Sequence, residues 1–128
     1  AAASIVGEIR PKHEFYSYEA KYEDSDGAEL IVPAKISKAQ AKAVRALALK
    51  AFDALAGEGL ARVDFLMDKK TGKLWFNELN TLPGFTAISM YPKLWAETGL
   101  PFHKLVGELI ESALRRFKRK ARLRITRD

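Results

Sequence analysis

The sequence contains no cysteine, which excludes disulfides and thiolate metal sites and agrees with a cytoplasmic protein. It has two histidines, His13 and His103, neither with a partner set, so both read as surface or packing residues. No apolar run approaches the roughly 18 residues that a membrane span needs. The first residues, AAASIVGEIR, lack the basic leader and apolar core of a signal peptide. Low-complexity and disorder-type composition are also absent. At 128 residues the chain has the length of one domain, burying roughly two-thirds of its unfolded surface.

Charge is present but unevenly placed. The net charge is +6, and residues 115–128 (RRFKRKARLRITRD) hold eight of the 22 basic residues and one of the 16 acidic ones. The other 114 residues therefore carry 14 basic against 15 acidic side chains. A basic tail on a neutral body argues against a body-wide nucleic-acid surface. Neither nucleic acid nor a membrane is expected as a partner.

Residues 4–12 read as a strand. Residues 13–26, aromatic and charged without a helical stripe, read as a long, partly ordered loop closed by the turn signal Asp26-Gly27. Residues 28–34 form a strand that Pro33 ends or confines to an edge. Ser37-x-x-Gln40 is a capping box opening a helix to about Ala56, which Gly57 and Gly59 stop. Pro92 begins a short helix that Gly99 ends. Pro101 opens a last helix whose Leu105, Val106, Leu109, Ile110, Ala113 and Leu114 are expected to face the core. The order predicts an α+β fold, an antiparallel sheet packed with helices.

Residues 60–92 (LARVDFLMDKKTGKLWFNELNTLPGFTAISMYP) carry the chemistry. They read as strand, tight turn, strand and a Pro/Gly loop. If the hairpin centres near Thr71, Asp64 opposes Glu78 and Arg62 opposes Asn80. Acids directly opposed across a ladder are destabilising, so something positive should lie between them. A divalent cation such as Mg²⁺ fits, since it takes oxygen ligands from one or two carboxylates and completes its shell with water and phosphate. The alternative is a wet hairpin face on which Arg62 pairs with Asp64 or Glu78.

The segment after Glu78, Asn80-Thr81-Leu82-Pro83-Gly84-Phe85-Thr86, resembles the E-x-N-T-x-P-G-[FM]-T signature of D-alanine–D-alanine ligases of the ATP-grasp superfamily. Ala61-Arg62-Val63-Asp64 and Ser89-Met90-Tyr91-Pro92 match in order and spacing, and Phe15-Tyr16-Ser17-Tyr18-Glu19-Ala20-Lys21-Tyr22 looks like the family's FYDYEAKY loop. The likeness covers residues 1–117, implying a C-terminal ATP-grasp catalytic portion with a mobile loop at 13–27, followed by a basic tail at 118–128.

The resemblance also implies roles. Glu78 would bridge two Mg²⁺ (or Mn²⁺) ions, with Asp64 on one and Asn80 on the other. Arg62 and the Gly84 N–H would stabilise an oxyanion. Lys21 would bind phosphate, Phe15 would cover the adenine, and Asn77 stands at a nucleotide-contact position where the family often has an apolar residue. Tyr22 would help close over the second substrate, and Ser89 and Met90 would meet that substrate's carboxylate. Implied partners are ATP, D-alanine, the N-terminal portion of the same enzyme and a second copy when full length, in cytoplasmic peptidoglycan precursor synthesis. The chain alone is expected to be inactive. Another ATP-grasp carboxylate–amine ligase, or a noncatalytic basic module resting on the tail, are the alternatives.

Overall fold

The computed structural model describes residues 1–11, 28–86 and 88–123. The expected loop at 13–27 lies outside them. Strands β1 (Glu8–Pro11) and β2 (Ala28–Ile31) pair antiparallel, as do β3 (Arg62–Met67) and β4 (Leu74–Asn80). The helices are α1 (Lys38–Ala54), α2 (Met90–Glu97) and α3 (Phe102–Ala121). The class is α+β as expected, with the described strands divided between two two-stranded sheets.

In the first sheet Arg10 lies across from Glu29 and bonds Glu8 on its own strand at 2.9 Å. The other Glu8 oxygen accepts the Lys35 N–H at 3.2 Å, tying the segment after β2 back to β1. These bonds, that of Arg10 first, hold the Glu8 carboxyl below its usual pKa. The second strand ends at Ile31, just before the cis Val32–Pro33 bond, since proline cannot donate to a ladder.

The capping box forms as the sequence predicts. The Ser37 hydroxyl accepts from the Gln40 N–H at 3.1 Å, and the Gln40 side chain accepts from the Ser37 N–H at 2.9 Å. The far end differs from expectation. Ala56, at φ 50°, takes the left-handed position, and the N–H groups of Ala56 and Gly57 close on Asp53 and Phe52. Gly57 serves close approach instead, because a Cβ there would stand 2.5 Å from the Phe52 ring.

The helix α2 starts two residues before Pro92, which its first turn tolerates. It ends in a full Schellman motif: Gly99, at φ 101°, donates to Ala96, and Leu100 donates to Trp95. The last helix also departs from expectation. Leu105 is buried, and Val106 and Leu109 are partly covered, but Ile110, Ala113 and Leu114 face outward. The other side of that second half meets the loop after α1, through Arg116 and Arg119 on Glu58. Among the described residues the buried apolar side chains are few: Val44, Tyr91 and Leu105 from the helices, with Pro83 and Pro92 beside them.

At the hairpin tip, Asp68 Oδ1 accepts the N–H groups of Lys70 (2.8 Å) and Thr71 (2.7 Å). These bonds, Thr71 first, hold its pKa below the ordinary aspartate value. Its stabilising contribution is therefore complete above the ordinary range and lost as pH falls through the lowered value. Asp68→Asn, which keeps an accepting oxygen, should preserve the turn at neutral pH and remove that acid dependence, read by amide exchange at Lys70 and Thr71.

Relieving the left-handed strain gives a second test. Ala56→Gly should raise stability by about 1 kcal/mol, whereas Gly57→Ala should lower it, both read from urea midpoints.

Candidate active site

The upper ends of β3 and β4 pair as expected, Arg62 with Asn80, Val63 with Leu79 and Asp64 with Glu78. Alternation then puts Arg62, Asp64, Glu78 and Asn80 on one face. The Arg62 guanidinium lies between the two acids. Its Nε is 2.9 Å from Asp64 Oδ1, its Nη2 is 2.9 Å from Asp64 Oδ2, and the same Nη2 is 3.4 Å from Glu78 Oε1. All three side chains are partly shielded from water. The positive charge that the opposed acids require is thus supplied from two residues upstream on the same strand.

Among the described residues no group of three His, Cys, Asp or Glu side chains is gathered as a metal site. The available donors are two carboxylates and the Asn80 amide, all hard oxygens. That set suits Mg²⁺, and the guanidinium marks where a cation is electrostatically favoured. Asn80 has a second task, since its Oδ1 accepts the Leu82 N–H at 2.9 Å and turns the chain out of the strand.

Below Asp64 the register departs from expectation. Phe65 pairs with Phe76, not Asn77, so β4 carries one extra residue. The shift sets Phe65 and Phe76 edge to face with ring centroids 6.1 Å apart. Asn77 is the unpaired residue and is exposed.

The loop beyond is pinned by groups that motif spacing did not single out. Phe85 packs against Tyr91 at 5.9 Å and Phe102 at 5.4 Å, and Tyr91 meets Trp95 at 6.5 Å. Burial raises the Tyr91 hydroxyl's pKa. Phe102 belongs to α3, and its only advance signal is its place at the start of that helix's apolar pattern.

The clasp fixes Gly84 and Ser89 beside each other, the Ser89 hydroxyl standing 3.1 Å from where a Gly84 Cβ would be. Ser89 precedes α2 without capping it. Its hydroxyl instead accepts the Thr86 N–H at 3.1 Å and bonds the Thr86 hydroxyl at 2.8 Å. Met90 opens the helix with its thioether against Gly7, so its backbone is what it can offer a ligand. Gly84 is exposed. Phe15, Lys21 and Tyr22 lie outside the described residues.

A family model described as D-ala D-ala ligase C-terminus matches residues 1–111. The chain belongs to that family. A D-alanine--D-alanine ligase of Treponema denticola is 54% identical over 126 residues, 98% of this chain and 34% of the relative. Of the solved structures, the D-alanine--D-alanine ligase of Bacillus anthracis complexed with ATP aligns with a TM-score of 0.73 and 31% identity, over 91% of this chain and 37% of its own. The VanG D-Ala:D-Ser ligase of Enterococcus faecalis aligns at 0.73 and 32%, over 84% and 31%. The fold is that of the C-terminal lobe of these ATP-grasp ligases, and the chain spans about a third of the length of the relatives it matches.

The aromatic clasp gives a test of how this ligase segment holds its loop. Phe102→Ala should cost roughly 1–2 kcal/mol, less than a fully buried Phe because its ring is partly exposed. Amide exchange at Gly84 and Phe85 should quicken while that at Val63 does not change.

Proposed function

We propose that the chain is the metal- and phosphate-handling C-terminal portion of an ATP-dependent D-alanine–D-alanine ligase, acting in the cytoplasm in peptidoglycan precursor synthesis. The observation that carries this reading is the pair Asp64 and Glu78, opposed across one ladder position with Arg62 between them, in a chain of this family.

In the reaction, the carboxylate of one D-alanine attacks the γ-phosphorus of ATP, giving an acyl phosphate and ADP. The amine of a second D-alanine attacks the acyl carbon, loses a proton, and phosphate leaves. Asp64, Glu78 and Asn80 would hold two Mg²⁺ (or Mn²⁺) ions, with Glu78 shared. The metal, when bound, offsets phosphate charge so that a carboxylate can approach the phosphorus.

The chain's own residues do the rest. Arg62, partly shielded from water, offers a fixed positive charge to the oxyanion at the acyl carbon, and the Gly84 N–H offers a second donor. The Pro83–Gly84 turn, held by the aromatic clasp, keeps that donor from wandering. The Ser89 hydroxyl and the first N–H groups of α2 receive the acceptor's carboxylate, favoured by the helix N-terminus. Lys21 takes a phosphate, Phe15 and Asn77 the nucleotide, and Tyr22 closes the acceptor side. The first-substrate pocket and the other half of the adenine cleft belong to an N-terminal portion, and the full-length enzyme is a homodimer.

An alternative amine acceptor is the second reading. A structural neighbour is named for D-Ala:D-Ser ligation, so comparing phosphate release with D-alanine and D-serine as acceptors separates the two.

The assay is phosphate release from ATP with D-alanine, using a full-length ligase that carries this segment. Glu78→Gln should lower the rate by ~100-fold or more with little change in urea midpoint, because it removes charge at nearly constant shape. The 128-residue chain alone should release no phosphate, since substrate positioning is lost. In that chain, Mg²⁺ should raise the Tm of Arg62→Ala by more than it raises the parent's, the ion replacing the missing guanidinium. Unimpaired turnover by Glu78→Gln would refute the assignment.

A further inference from the structure

The second half of α3 has two sides of different character. One side continues the packed face, where Arg116 and Arg119 pair with Glu58. The other carries Ile110, Leu114 and Phe117, spaced four and three apart and 55%, 48% and 72% exposed. At about 100° per residue these three form a single line along the helix. Lys118 and Lys120 fall on either side of that line, and Arg115 and Arg122 lie further round. The acids of the helix, Glu108 and Glu111, both precede Leu114, so the stretch from there to Arg122 is an apolar ridge bordered only by cations. Basic residues Arg124 and Arg127 follow in sequence.

This ridge stands apart from the site. Among the described residues, Ile110, Leu114 and Phe117 have no hydrogen bond, ion pair or ring contact with the Arg62–Asp64–Glu78 face or the Gly84 loop.

We propose that this end of α3 docks on an anionic lipid bilayer surface. A nucleic acid would engage the cations and leave the apolar ridge in water. A bilayer surface takes both, with the ridge at the headgroup–acyl boundary and the cations against anionic headgroups. No helix of the described residues is long and apolar enough to cross a membrane, and none is needed, because the ridge lies in the interface plane. The sequence gives no expectation of a membrane partner, and the exposure of Ile110 and Leu114 is the observation that raises one.

The test is cosedimentation of the purified 128-residue chain with vesicles of phosphatidylcholine alone or mixed with phosphatidylglycerol. Binding to the anionic vesicles should be at least ~10-fold tighter, since each cation near such a surface is worth about fivefold. Leu114→Ser with Phe117→Ser, and separately Lys118→Glu with Lys120→Glu, should each lower it ~10-fold or more. Leu66→Ser with Trp75→Ser, exposed apolar residues of the hairpin, should leave it unchanged. Circular dichroism checks each variant, and if the serine pair loses helix the charge-reversed pair decides. Equal binding to both vesicles, equal sensitivity to the hairpin pair, or binding to RNA without binding to vesicles overturns the proposal. So does a full-length ligase carrying this segment that no longer distinguishes the two vesicles, because the rest of the enzyme then covers the ridge.

Discussion

Two carboxylates placed across from each other on adjacent strands would push the strands apart unless a positive charge sits between them. In this chain that charge comes from Arg62, and much of the hairpin's order follows from it. The guanidinium grips Asp64 with two nitrogens and reaches Glu78 with one of them, so both strands are held at one register position. A bidentate grip on one acid and a longer bond to the other is an unequal arrangement. It leaves Glu78, the more exposed of the two acids, as the one whose oxygens are least engaged. The face is held together by the electrostatic need of its two acids.

The loop that leaves this face is positioned by packing, not by charge. Asn80 starts the turn through its bond to the Leu82 N–H, and Phe85 then anchors the loop between Tyr91 and Phe102. The Gly84 N–H and the Ser89 hydroxyl are thereby carried on a short span with an aromatic anchor close to both. Thr86 adds a hydroxyl pairing that engages Ser89 at the N-cap, so its side chain does not make the cap bond it would ordinarily make.

Local chemistry was legible where it depends on near neighbours in sequence. The Ser37–Gln40 box follows from a single short spacing, the pairing of Asp64 with Glu78 from one hairpin, and the α+β class from the order of elements. What escaped was decided by side-chain packing that spacing alone does not report. Gly57 looked like the helix stop, but the Phe52 ring requires its bare backbone, and the left-handed role passed to Ala56. Ile110 and Leu114 satisfy a core-facing pattern, yet periodicity reports a face and not what covers it. Phe102 gave no sign of joining a loop that precedes it by a whole helix. The Phe65–Phe76 contact, favoured over strict alternation, moved the lower register by one.

That one-residue shift works as a slip joint. Above Asn77 the two strands keep the pairing that gathers Arg62, Asp64, Glu78 and Asn80, and below it they keep a different pairing through to Leu74. A change of length near residues 68–73 can be absorbed where the ladder is already interrupted, before it reaches the polar end. The distal turn, with its lysines and glycine, is thus uncoupled from the chemistry it is joined to. A lineage of such chains is free to lengthen, shorten or rewrite that tip while the four polar residues keep their places.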